Sequence, residues 1–392
     1  MRSNVKQVAE PTQLQVYLVG GAIRDKLLGL QVKERDWVVI GASRKQMLKL
    51  GYREVGNSFP VFLHPETSEE YALARTETKT GPGYKGFKVD ASADVTLEED
   101  LLRRDLTINA MAENPAGGLI DPYGGRQDLE ARVLRHVSPA FVEDPVRVLR
   151  VARFQARLAG LNFRIAPETM ALMKQIVDNG EIDNLVAERI WQELHKSLLT
   201  TQPWQFFVTL AACGAISRIL APAEPVLDEC NRALRCASSH SDDPVVRFAA
   251  WAAPIDLAGI RSTCEHLKTP REYTDLAVLT HQYGDFFQQS TQLPPPEVLD
   301  GFKALDAFRR PERFEQFLLA AEAVSRAQPG KEHWPHPQRE YLHTAQLQAG
   351  SIAAKDLTKV RLQGKALANE LDIHRRAAIS KVKRTYRWAK FR

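Results

Sequence analysis

Between Val16 and Gly41 the chain reads VYLVGGAIRDKLLGLQVKERDWVVIG, and this run constrains the fold more than any other. An apolar run, a double glycine, a short helical stretch and a second apolar run predict strand, turn, helix and strand in that order. Gly20 and Gly21 lack a Cβ, so backbone N–H groups there can come close to phosphate oxygens. Arg24 follows one helical turn later and adds positive charge. Glu34 and Asp36 are two residues apart on the second strand, which points both carboxylates to one face and Arg35 to the other. Converging carboxylates suit Mg²⁺, a cation that takes hard oxygen ligands.

From about Leu14 to Arg135 the pattern is mixed α/β, with strands expected at Val16–Val19, Trp37–Ile40, Val61–His64 and Glu70–Ala74. From Asp144 onward it is helical. The stretches ETMALMKQIVDNG, ERIWQELHKSLL and PERFEQFLLAAEAVSRAQPG carry helical periodicity with glycine or proline punctuation. Breaks fall near Ala221–Pro225 and at Leu293–Pro296, and Pro329 to Gln338 reads as a loop. The expected organisation is a disordered N-terminal extension over residues 1–13, a head over 14–135, a helical neck over 136–222, and a helical body and tail over 223–392. The fold class is α+β, a small mixed-sheet head followed by an all-α remainder. No apolar run reaches the length of a membrane span, and MRSNVKQVAEPTQLQ lacks the apolar core of a secretory signal. Cys213, Cys230, Cys236 and Cys264 show no metal-ligand spacing, so reduced thiols in a cytoplasmic protein are the simplest account. Nothing implies a stable protein partner.

Three further segments carry chemistry. In Glu70–Phe87, EYALARTETKTGPGYKGF, a strand runs into a loop with Gly81, Gly83 and Gly86 that is able to move. Glu70 reads either as a third acid beside Glu34 and Asp36 or as an ordinary surface acid. In Leu101–Ala112, LLRRDLTINAMA, Arg103, Arg104 and Asp105 precede an expected apolar helix in which Asn109 would tie back to the double-glycine loop. In Val137–Arg157 the pair Asp144–Pro145 marks a helix start, and Arg147, Arg150 and Arg153 follow at three-residue steps. At about 100° per residue these groups cover roughly half the circumference, enough to line one wall of a cleft. The net charge is +5, and the end from His374 to Arg392 holds eight Lys or Arg and no acid, with Tyr386, Trp388 and Phe391 between them. That composition suits an RNA backbone, or a solvated charged end.

These segments resemble the class II tRNA nucleotidyltransferases, a family that includes the CCA-adding enzymes and the bacterial poly(A) polymerases. The resemblance rests on GG-x-x-RD before the carboxylate strand, on RRD-x-T-I-N-A, and on EDxxR at Glu143–Arg147. It is close from about Val16 to Thr200, thins afterwards, and returns at Leu362–Ile379. It implies a palm-like nucleotidyltransferase head and Mg²⁺-assisted transfer from CTP and ATP to tRNA, with Glu34 and Asp36 as metal ligands and Glu70 beside them. It assigns nucleotide binding to Gly21, Arg24, Arg104, Asp144, Arg147, Arg150 and Arg153. The loop at Arg75–Phe87 corresponds to the segment that moves in the switch from C to A addition. Asp144 and Arg147 together could accept the pairing edge shared by C and A and refuse U and G.

The chain departs from that family in two places. Glu34 stands where most members carry aspartate. Val245 to Ile260 lacks the His-Asp pair of the phosphohydrolase domain carried by many bacterial relatives, so no such activity is expected. A CCA-adding enzyme is the main expectation. A poly(A) polymerase, a partial CC- or A-adding enzyme and a non-catalytic RNA-binding relative are the alternatives.

Overall fold

The computed structural model describes residues 14–55, 61–79, 81, 87–331, 334–353 and 364–386. The N-terminal extension, most of the glycine-rich loop between Thr78 and Gly86, and the end from Arg387 to Arg392 lie outside the described residues. The chain divides into two compact units, Met1–Leu185 and Val186–Arg392.

The first unit is built on a seven-stranded mixed sheet. Its strands are β1 (Gln15–Val19), β2 (Asp36–Ile40), β3 (Arg53–Val55), β4 (Val61–Leu63), β5 (Glu70–Leu73), β8 (Ala112–Glu113) and β9 (Leu119–Ile120), ordered β3-β4-β5-β2-β1-β8-β9. A separate hairpin pairs β6 (Thr76–Lys79) with β7 (Phe87–Asp90), and β10 (Val133–Leu134) pairs with β11 (Arg164–Ile165). The four strands expected from sequence form within one residue of their anticipated ends. Alternation along β2 sorts its side chains between two cores. Val38 packs with Val19, Val95, Leu97, Leu101 and Ala110 on one face. Val39 packs with Met47, Phe62, Tyr71 and Leu73 on the other, where Trp37 stacks on Tyr71 at 5.6 Å.

Two local expectations are corrected. Glu34 precedes β2, which begins only at Asp36, so the carboxylates do not alternate along one regular strand. After Arg103-Arg104-Asp105 there is no apolar helix but a single 3₁₀ turn, Thr107–Asn109, followed two residues later by β8. The turn is held from outside: the Thr107 hydroxyl donates to Asp128 at 2.7 Å, and a side chain on Gly125 would collide with the Thr107 carbonyl.

The second unit is helical. Helices Pro244–Ala252, Arg271–Gln282 and Pro311–Arg326 bury Trp251, Leu276 and Phe317 among others. Arg247 is buried there and bound on every side: its guanidinium donates to the carbonyls of Ser241, Leu198 and Thr200 and to Asp242. The basic end forms part of the helix Gly364–Thr385. Two of its cations serve packing, since Arg375 lies over the Phe308 ring at 4.1 Å and Lys383 donates to the carbonyls of Gln292 and Leu293. Arg376, Lys381 and Arg384 face solvent. Among the described residues, no helix is long and apolar enough to cross a membrane.

Candidate active site

Strand register assembles the site. β1 runs antiparallel to β2 with Val19 opposite Asp36, so the Gly20-Gly21 turn that ends β1 begins beside the first residue of β2. β5 runs parallel to β2 with Glu70 opposite Asp36, which puts both carboxylates on the face that also carries Val38. That face is covered by the short helix Leu97–Leu102, started by a capping box in which Thr96 and Glu99 exchange hydrogen bonds. Arg104 emerges just beyond this helix and reaches back toward Asp36.

Asp36 keeps solvent contact, yet its carboxyl is pushed above the usual aspartate range. Packing around it is the main cause, the nearby Glu34 charge adds to it, and Arg104 opposes it. A carboxyl whose ionisation is disfavoured by packing and by a neighbouring acid is a setting a cation would relieve. Mg²⁺ commonly takes one or two protein carboxylates and completes its shell with water and phosphate oxygens, so this pair fits it. Among the described residues, no three His, Cys, Asp or Glu side chains gather closely enough to form a metal site by themselves. Glu70 shares the face of Asp36 but does not join it as a third close ligand.

The two glycines differ. Gly20 has φ +70°, its N–H donates to the Met111 carbonyl at 3.1 Å, and a Cβ on it would stand 2.8 Å from Nη1 of Arg104. Only glycine meets that backbone and leaves Arg104 in place. Gly21 opens the helix Gly21–Leu27, and a Cβ on it would meet Arg24 at 3.4 Å.

Arg24 is 2% exposed. Its Nε and Nη2 bind Oδ1 of Asp25 at 2.9 and 2.8 Å, its Nη1 binds Oδ1 of Asn109 at 2.5 Å, and it lies over the Phe154 ring. Burial lowers its pKa, and Asp25 opposes that shift. The structure therefore gives Arg24 a packed, positioning geometry instead of an open cationic one, and the anticipated tie from Asn109 to the glycine loop runs through it. Arg104 donates through Nη2 to Asp100 at 3.1 Å and through Nη1 to the Asn109 carbonyl at 3.3 Å, and its Nε is buried without an acceptor.

The arginine helix, Val146–Leu158, is amphipathic, with Val148, Leu149, Val151 and Ala152 fully buried. Asp144 stands just before it and accepts the Val146 N–H at 3.1 Å. Arg147 donates to two main-chain carbonyls, those of Ala140 at 3.0 Å and Arg103 at 2.5 Å. Arg150 binds Asp105 at 2.6 Å, Arg153 lies over the Phe154 ring at 4.3 Å, and Arg157 binds Asp25 at 2.7 Å. Residues from three distant motifs are thus brought to one side of the sheet.

Of the acids that make these connections, Asp105 is named from sequence only as part of the Arg103-Arg104-Asp105 run, and Asp25 and Asp100 are not singled out. Asp100 is fully buried and divides its oxygens between Arg103 and Arg104. Burial alone would raise its pKa, but the two guanidinium groups reverse this and hold it below the usual range. Asp105 behaves alike: burial is outweighed by Arg150, by Asn109 and by the Leu106 N–H, and the carboxyl is held far below the usual range. For Asp25 and Asp105 the available signal is an aspartate directly after arginine, whereas Asp100 follows Glu99 and carries no such signal.

Comparison with known proteins places this geometry. Residues 16–135 match the family described as "Poly A polymerase head domain", and residues 162–231 match the one described as "Probable RNA and SrmB- binding site of polymerase A". A "Multifunctional CCA protein" of Thioalkalivibrio sulfidiphilus (strain HL-EbGR7) is 50% identical over 404 residues, covering 94% of this chain and 99% of that protein. A "CCA-adding enzyme" of Pseudomonas putida is 49% identical over 374 residues, covering 95% and 100%. In fold, the chain resembles a CCA-adding enzyme in an apo form, with TM-score 0.69, 22% identity, and coverage of 94% of this chain and 88% of the other. It also resembles a Thermotoga maritima CCA-adding enzyme complexed with tRNA, with TM-score 0.66, 22% identity, and coverage of 95% and 88%.

Proposed function

The chain belongs to the CCA-adding tRNA nucleotidyltransferase family, and from that premise we infer that it extends the 3′ end of tRNA with C, C and A. CTP and ATP are the donors, pyrophosphate is released, and no nucleic-acid template is used. The observation that carries the reading is the meeting of Asp36, Glu34 and Arg104 beside the Gly20-Gly21 turn. Acids for a metal and a cation for a triphosphate stand near one another at the start of β2.

The reaction is metal-assisted, and we propose Mg²⁺, held by Glu34 and Asp36. When bound, such an ion acidifies the attacking 3′-hydroxyl and stabilises charge on the departing pyrophosphate. The chain's own residues do the rest. Arg104, Arg150 and Arg153 orient the triphosphate, so that positioning and electrostatics supply most of the rate. Arg24 serves the nucleotide from beneath, by fixing the turn at Gly20 and Gly21 against Asn109. Glu70, in register with Asp36, adds negative charge to the same face. Asp144 accepts the exocyclic amino group of cytosine or adenine while Arg147 donates to the adjacent ring nitrogen. Uracil and guanine present a carbonyl in place of that amino group and meet a carboxylate with an acceptor.

We propose a cytoplasmic location, which the tRNA substrate and the free thiols of Cys213, Cys230, Cys236 and Cys264 support. We also propose that the second unit is not a phosphohydrolase. In support, the helix Pro244–Ala252 turns Val246, Phe248 and Trp251 into the core, and Ala253 and Pro254 follow it.

The test is extension of a tRNA lacking its last three nucleotides, with each triphosphate alone and then CTP with ATP. The expected result is two additions from CTP and a third only when ATP is present. A long adenylate ladder from ATP alone would replace this reading with a poly(A) polymerase, and binding without extension would replace it with a non-catalytic relative.

A further inference from the structure

The second unit holds a cavity of about 440 Å³ at helices Leu257–Leu267 and Arg271–Gln282 and the start of Pro311–Arg326. Its lining includes four arginines, Arg261, Arg271, Arg310 and Arg313, against a single acid, Asp275. Val278 and Leu279 supply its apolar part. The cations are poorly compensated. Arg271 is 92% exposed and stands 3.5 Å from Asp275, and Arg310 stands 3.5 Å from Asp306. Arg313 gives Nη2 to the Leu305 carbonyl at 3.1 Å, while its Nε is buried with no acceptor. Arg261 has no ion-pair partner among the described residues.

Like charges around one cavity repel, and a buried donor without an acceptor is costly. An anion in the cavity would relieve the repulsion among the arginines that line it. Guanidinium forks match the oxygens of phosphate in geometry as well as charge. The volume falls within the range of small-ligand sites, roughly 300–1,000 Å³. Apolar side chains beside the cations suit the sugar or base attached to a phosphate. We propose that this cavity binds the phosphate of a nucleotide, carried either by an RNA backbone or by a free nucleoside monophosphate. The RNA form rests on the tRNA reading above, and the free-nucleotide form does not.

The test compares the full chain with the double variant Arg261→Gln/Arg310→Gln, at two exposed positions outside the nucleotide site of the first unit. Binding of tRNA lacking CCA is measured across a salt series, and binding of AMP and of inorganic phosphate by calorimetry. CTP and ATP addition is followed in parallel. If the cavity holds RNA, the double variant binds tRNA more weakly and its log affinity falls less steeply with log salt, by about one to two in slope. If it holds a free nucleotide, AMP or phosphate binds the parent chain at a site the variant lacks, and the tRNA slope is unchanged. Equal tRNA slopes together with equal AMP and phosphate binding overturn the proposal. Should the double variant melt early, single Arg261→Gln carries the same comparison. A parent chain that adds no nucleotides while still differing from the variant in binding would overturn the enzymatic reading and leave the cavity standing.

Discussion

Asp36 and Asp105 are both aspartates set near arginines in the first unit, and their carboxyls are driven in opposite directions. Asp105 is wrapped: Arg150, Asn109 and the Leu106 N–H all serve its charged form. Asp36 is left in debt, with packing and Glu34 against its charge and only Arg104 in favour. The difference separates two uses of one residue type. A carboxylate whose needs are met by the fold holds the fold, and one whose needs are unmet is kept for something that arrives later. Asp100, divided between Arg103 and Arg104, belongs with Asp105.

The sharpest way to break this contrast is Asp36→Asn. Nucleotide addition should fall by roughly 10³-fold or more, equivalent to several kcal/mol of transition-state stabilisation. The midpoint of thermal unfolding without metal or nucleotide should hold or rise, because an unfavourable charge has gone. A variant that lost both activity and stability would place Asp36 with the structural acids. Asp105→Ala should do the reverse and destabilise first. Removing one member of a buried ion pair leaves the other uncompensated, but Arg150 is 37% exposed, so the expected loss is about 2–3 kcal/mol, read from denaturant midpoints.

Acid titration of the unfolding midpoint tests the same division by sign. Asp100 and Asp105 have lowered folded pKa values, so their contribution is complete above the ordinary carboxylate range, about pH 4, and is lost as pH falls through the folded values. Asp36 is raised, so its contribution is present at low pH and disappears as pH rises through its folded value. Asp105→Asn should flatten the acid limb, and Asp36→Asn should leave that limb unchanged. The smallest effect is expected from Thr96→Ala, which removes the cap of the helix before Arg103 and Arg104. About 1 kcal/mol of stability should be lost. The Michaelis constant for CTP should rise more than that stability change alone would require, since Arg104 is placed from this helix.

Much of this was legible from residue order. Short apolar runs with turn punctuation between them located β1, β2, β4 and β5, and the arginine spacing located the helix Val146–Leu158. The 3₁₀ turn at Thr107–Asn109 was not legible, since its apolar residues suit a helix and what stops them is Gly125 and Asp128, packed against it from a later segment. Arg24 was read as an open cation because spacing gives direction but not burial, and only the fold shows Asp25 and Asn109 closing on it. Glu34 was placed on a strand because Glu-x-Asp has a strand's period, whereas pairing with β1 ends at Val19 opposite Asp36.

Arg147 donates to the main-chain carbonyls of Ala140 and Arg103. Point mutation cannot delete a carbonyl. Substitutions accumulating at residues 103 and 140 would leave the acceptors in place so long as the backbone keeps its course. At those two contacts, the residue proposed to read the incoming base is insulated from drift at residues 103 and 140. Loosening Arg147 through these two contacts would take a shift of the chain itself.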